Sequence, residues 1–205
     1  MALYAHQLYQ QELAIALGMS AGQLSGGAVE KSQPAPFGFD YVERKLRSKT
    51  FGILSTVSQD VRPHSVGVVY GVSPPGKPFC LYLITRPVLK KARNIAQNPN
   101  ISFVVPFPYF VLRPFPQSCI QFQAKAEIVP IDNSDATRAY ERSVVLRRSK
   151  EHSLRLGESI FIKVVPDEKI FSFGISASAL QFLVPSQNRS LGNFYVTIPQ
   201  GRRFG

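Results

Sequence analysis

Seven short apolar segments, each closed by a turn signal, constrain this chain more than any other feature. They are "FGILSTV" (51–57), "RPHSVGVVYGV" (62–72), "PFCLYLIT" (78–85), "ISFVV" (101–105), "SCIQFQAKAEIVP" (118–130), "SIFIKVV" (159–165) and "KIFSFGI" (169–175). Segments of this length, rich in β-branched and aromatic residues and bounded by Gly, Pro, Asn, Asp or Ser, read as strands. Only two helical patterns interrupt them, one over 87–97 and one from Asn133 or Ser134 to about Arg148. Many short strands with few inserted helices predict a small antiparallel barrel with flanking helices, a mainly β fold.

The pattern divides the 205 residues into four parts. Residues 1–19 read as an N-terminal helix, with Leu3, Leu8, Leu13 and Leu17 among its apolar positions and Gly18 as its stop. Residues 20–39 are rich in Gly, Ser, Gln and Pro and read as a linker. The barrel is expected over 40–174, opened by a short helix in which Asp40 and Glu43 have capping-box spacing, and 175–205 form a C-terminal extension. Inside the barrel, 106–117 carry Phe107, Tyr109, Phe110 and Phe115 among prolines. These are expected to bury aromatics in a dimer contact, with a lid over a flat apolar substrate as the alternative.

Charge narrows the choice of partner. The net charge is +11, and no Asp or Glu occurs between Val61 and Ala126. Such an excess calls for an anion: nucleic acid, a membrane surface or a phosphorylated small molecule. No nucleic-acid readout module is recognisable, so nucleic acid is not the expected partner. No run is long enough to span a bilayer and no leader pattern opens the sequence, so a cytoplasmic protein without a membrane partner is expected. Cys80 and Cys119 sit in apolar runs and read as buried thiols of a reducing compartment. His6, His64 and His152 are scattered, and no metal site is expected. Neither GxSxG, HExxH nor a P-loop occurs.

The positive charge concentrates in "LITRPVLKKARNIAQNP" (83–99). Pro87 suits a first helical turn. Val88, Leu89, Ala92, Ile95 and Ala96 make one apolar face at helical spacing, flanked by Lys91 and Arg93, while Lys90, Asn94 and Gln97 point away. Thr85, Arg86, Lys90 and Lys91 could surround a phosphate at the start of the helix, where the helix dipole favours an anion. A solvated basic face accounts for the same spacing equally well.

The order turn, "RPH", strand, hairpin, "LYLIT", basic helix, "NPNISFVV" resembles the FMN-binding split-barrel superfamily of the pyridoxamine 5'-phosphate oxidases. Thr85, Arg86, Lys91-Ala92-Arg93-Asn94-Ile95 and Asn98-Pro99 match its Thr, basic loop, Lys-x-x-Asn-Leu helix and Asn-Pro. "IQFQAKAEIV" is similar to its "VRVEGxAEVV" strand, and "IKVVPDEKIFSF" to its closing strand pair. The resemblance spans roughly residues 40–174. It implies a six-stranded split barrel, a homodimer and a flavin-dependent oxidoreductase acting on a small molecule, with cofactor sites between the subunits. FMN is the expected cofactor, with a deazaflavin coenzyme or haem as alternatives, and a non-catalytic carrier of one of these as the alternative function. Cofactor contacts are expected from Arg62, His64, Ser65 and Val66 on the second strand, and from Thr85, Arg86, Lys90 and Lys91 at the helix. Cys119 and Gln121 would come from a strand of the partner subunit. No residue is assigned to catalysis. The sequence departs from the family at Leu89, where many members have a phosphate-binding Ser, and at Val66, where the oxidase itself has an Arg. It also lacks the oxidase's C-terminal Arg-x-His, so the oxidase proper is not expected.

Overall fold

The computed structural model describes residues 37–108, 118–174 and 194–203. The N-terminal helix, most of the linker, most of the Pro- and Phe-rich insertion and residues 175–193 lie outside these. Helix α1 (Phe39–Arg47) leads into strands β1 (Phe51–Val57), β2 (Pro63–Val72) and β3 (Leu81–Thr85). Helix α2 (Lys90–Gln97) separates β3 from β4 (Asn100–Phe107) and β5 (Ser118–Val129). Helices α3 (Ser134–Glu141) and α4 (Val144–Arg155) precede β6 (Ile160–Pro166) and β7 (Lys169–Phe173). Strand β8 (Phe194–Thr197) and the short helix α5 (Gln200–Arg203) follow.

The strands run in the order β4-β1-β2-β3-β6-β5, and a β5–β4 ladder closes this into a six-stranded antiparallel barrel. The twelve residues of β5 change partner along their length. Ala124–Val129 pair with β6, and Cys119–Gln121 pair with β7, which then carries β8. Alternation drives the closure: Leu54, Val68, Tyr70, Leu81, Leu83, Phe103, Ile120 and Ile162 all point inward and fill one core. Ile95 of α2 joins them. A second apolar layer lies outside the barrel, where Tyr140, Ala136, Ala139 and Leu146 of α3 and α4 cover Tyr82, Phe161 and Cys80.

Local chemistry corrects several expectations. Asp40 does not cap α1: Gly38 is its N-cap, and Glu43 instead accepts from Arg47 and from Arg202 of α5. The helix from Asn133 is two helices. Asn133 Oδ1 caps α3 by accepting from Ala136 N at 2.9 Å, and the chain breaks at Arg142–Ser143, where Ser143 is extended and serves as N-cap of α4. Helix α2 begins at Lys90 rather than Pro87, with Pro87 and Val88 in the turn before it.

Candidate functional site: a cationic strand end beside a short helix

The β2–β3 ladder ends early. Its last paired residues are Tyr70 and Leu83, while Ile84 and Thr85 continue along β6 opposite Phe161 and Ile160. The chain leaves this strand end through Arg86 and a turn closed by Leu89 N donating to Arg86 O at 3.1 Å, and then enters α2. Leu89 is the N-cap, so no side-chain oxygen occupies the first turn, and no acidic residue stands there. The amides of Lys90 and Lys91 have no preceding helical turn to donate to.

Thr85 is 3 % exposed, and its Oγ1 has no hydrogen-bond partner. A buried hydroxyl left unpaired is costly, which makes the atom informative. Lys91 is half-buried. Its ammonium is pushed below the usual lysine range, first by burial and second by the charge of Arg86. Among the described residues, Arg86, Lys90, Lys91 and Arg93 enter no ion pair. Lys91 and Arg86 repel each other at the entry to a helix whose first turn carries no acid, an arrangement that an anion would offset.

Helix α2 is fixed differently from the sequence expectation. Its buried residues are Ala92, Asn94 and Ile95, whereas Ala96 and Val88 are exposed. Asn94 turns inward and donates from Nδ2 to Thr56 Oγ1 at 2.9 Å. Thr56 in turn donates to His64 O at 3.3 Å. The helix is thereby pinned to the β1–β2 hairpin, and a periodicity read from apolar residues alone misassigns Asn94.

The remaining expected residues divide into two groups. His64 is half-buried with an unpartnered Nδ1, and Val66 packs against the core. Ser65 faces the other side and bonds Ser55 at 2.8 Å. Arg62 projects from the turn, 81 % exposed, in an ion pair with Asp60. Cys119 and Gln121 lie on β5, opposite Pro106 and Val104 of β4. They stand four to six residues along β5 from Lys125, roughly 13–20 Å at the rise of a strand, and it is Lys125 that faces the start of β4 at Asn100. Burial pushes the Cys119 thiol up. Gln121 lines a separate cavity of about 480 Å³ with Ser102, Gln123, Lys169, Phe171 and Tyr195. Tyr195 comes from β8, a strand the sequence pattern does not reveal.

Residues 40–168 match the model of the pyridoxamine 5'-phosphate oxidase family. No curated protein shows a significant sequence match. Among solved structures, the fold is similar to HutZ, the heme storage protein from Vibrio cholerae (17% identity, TM-score 0.53, 67% of this chain and 96% of HutZ). It is also similar to the conserved hypothetical protein Rv2991 from Mycobacterium tuberculosis (18% identity, TM-score 0.51, 69% and 89%). A third is a heme binding protein from Mycobacterium smegmatis (16% identity, TM-score 0.51, 64% and 51%).

Proposed function

The chain belongs to the pyridoxamine 5'-phosphate oxidase family, and from that premise we propose that it binds FMN and works as an oxidoreductase on a small molecule. The observation that supports this reading is the mutual repulsion of half-buried Lys91 and Arg86 at a helix start with no acidic residue and no side-chain cap. The residues present fit a phosphate. The two cations gain a counter-ion, and the uncapped first amides of α2 favour an anion. Each charge-assisted bond is worth about 1.5–3 kcal/mol, so three or four such bonds are of the size needed for micromolar affinity, about −8 kcal/mol. Leu89 offers no hydroxyl, which leaves the phosphate to Thr85, Arg86, Lys91 and Lys90.

Bound FMN would supply the electron transfer itself; the protein positions it and tunes its ring. The chain's own contribution is anchoring. Asn94 and Thr56 hold α2 against the hairpin that carries His64 and Ser65, so the phosphate anchor and the β2 surface keep a fixed separation. In this reading a second copy brings Cys119 and Gln121 to the ring, and the protein acts as a cytoplasmic homodimer. No described helix is long and apolar enough to cross a membrane.

Haem is a second reading, and His64 favours it: a half-buried imidazole with an unpartnered nitrogen is a potential iron ligand. The same cations would then meet a propionate, and two of the similar folds are named for heme. Titration of the purified protein with FMN, a deazaflavin coenzyme and haem separates these readings. Flavin fluorescence quenching at micromolar concentration, weakened about 10- to 100-fold in Lys91→Ala, is the expected result. A Soret shift abolished by His64→Ala, with no flavin binding, would replace FMN with haem. Binding of none below millimolar concentration would sink both.

A further inference from the structure

Tyr140 belongs to α3, on the outside of the barrel, yet its side chain reaches the point where β2 and β3 separate. Its hydroxyl accepts from Ile84 N at 2.8 Å and donates to Val69 O at 3.1 Å. Extending the Tyr70–Leu83 register by one residue places Val69 opposite Ile84. The hydroxyl therefore stands in for a rung of the ladder: two bonds in series replace one of about 2.9 Å. The strands are held apart there while both backbone groups remain satisfied.

The surroundings leave this hydroxyl little freedom. Tyr140 is fully buried and its ring packs edge-on against Phe161, 5.2 Å between centroids. Helix α3 can approach this closely because of Gly71, where a Cβ would stand 3.1 Å from Ala139 O. The residues after Ile84 are Thr85 and Arg86. Tyr140 thus fixes the Leu83–Ile84 peptide, one residue before Thr85 and two before Arg86.

We propose that Tyr140 is a positioning residue that gives the site its preference for a phosphorylated flavin, by wedging β3 away from β2 just before the chain turns through Arg86 into α2. The proposal rests on the FMN reading and adds to it a determinant located outside the binding surface. Without the hydroxyl, the end of β3 either closes onto β2 or loses its fixed position, and either change spoils the geometry of a multidentate phosphate site. His64, Ser65 and Val66, which meet the ring in this reading, lie three to five residues from Val69 and are held by their pairing with β1.

The test compares FMN with riboflavin, which lacks the phosphate, on wild type and Tyr140→Phe. Expected is a rise of about tenfold in Kd for FMN with riboflavin affinity unchanged, so that the FMN-to-riboflavin preference collapses. Equal weakening of both ligands, or no change in FMN affinity, would overturn the proposal, since a general loosening of the fold lowers both. If wild type binds no FMN, the cofactor reading fails separately, and amide exchange decides the positioning claim. Ile84 N–H must then exchange at least tenfold faster in Tyr140→Phe while Phe161 N–H, on the neighbouring strand, keeps its protection. Unchanged exchange at Ile84 overturns it.

Discussion

Asn94 on α2 and Thr56 on β1 are joined by one buried hydrogen bond, Nδ2 to Oγ1 at 2.9 Å, which fixes a basic helix to the barrel. Replacing Asn94 with Leu removes the donor to Thr56 Oγ1, which keeps only its own bond to His64 O, and sets an apolar side chain against it. The expected loss is about 1–3 kcal/mol, read as a lower midpoint in urea with an unchanged m-value. Weaker FMN binding should accompany it. Full stability in the variant would show that apolar contacts alone hold the helix.

Lys91 predicts an inverted pH response. Its ammonium is held below the ordinary lysine value by burial and by Arg86. In the window between its depressed native pKa and the unfolded value, the unfolded chain binds more protons, so this group makes stability rise with pH. Below that window it is charged in both states and lowers stability; above it, the cost is gone. Lys91→Met should therefore melt higher than wild type at pH 7, and the difference should shrink towards pH 10. Melting curves across that range check the sign. A variant less stable than wild type at pH 7 would refute the repulsion argument.

Gly71 permits the close packing of α3 on β2. A methyl at this position would meet Ala139 O at 3.1 Å and Ala139 C at 3.2 Å, both backbone atoms that yield little. Gly71→Ala is expected to cost about 1–3 kcal/mol through overpacking. It should also speed amide exchange at Ile84 as Tyr140 is drawn outward. Protection at Ile84 equal to wild type would dissociate the glycine from the wedge.

Glu43 gathers two arginines. One carboxylate oxygen accepts from Arg47 Nε at 2.9 Å and from Arg202 Nη2 at 2.6 Å, and the glutamate side chain is only 12 % exposed. Glu43→Ala leaves two partly buried guanidinium groups facing each other without a counter-charge. About 1–3 kcal/mol should be lost, with Arg202→Ala costing less because the Glu43–Arg47 pair survives. A loss under about 0.5 kcal/mol would mean that solvent already screens the network.

The barrel is readable from the sequence because its strands alternate cleanly: Leu54, Phe103 and Ile120 face inward while Ser55, Ser102 and Gln121 face out. The cationic strand end is readable for the same reason, since Thr85 and Lys91 lie near a strand-to-helix junction marked by Pro87. Other features escape for identifiable causes. Strand β8 offers only Phe194, Tyr195, Val196 and Thr197, too short a run to establish a period. Asn94 is polar and so is assigned outward, although a partner oxygen waits for it inside. The break between α3 and α4 contains no Gly or Pro, only Ser143 as a cap. Tyr140 acts across 56 residues of sequence separation, through an atom that apolar patterning does not register.

The pairing of β7 with β8 has a bearing on how the protein is made. Ile170, Val196 and Ile198 are fully or almost fully buried, Ile198 N bonds Glu168 O, and Phe79 N bonds Arg202 O. Until β8 and α5 have been made, β7 presents a naked apolar edge and the Phe79 amide, two residues before β3, lacks its acceptor. A nascent chain stalled short of Phe194 would offer that edge to any neighbouring strand, the ordinary route to aggregation. Strand β8 is thus also the segment that covers this edge of the sheet.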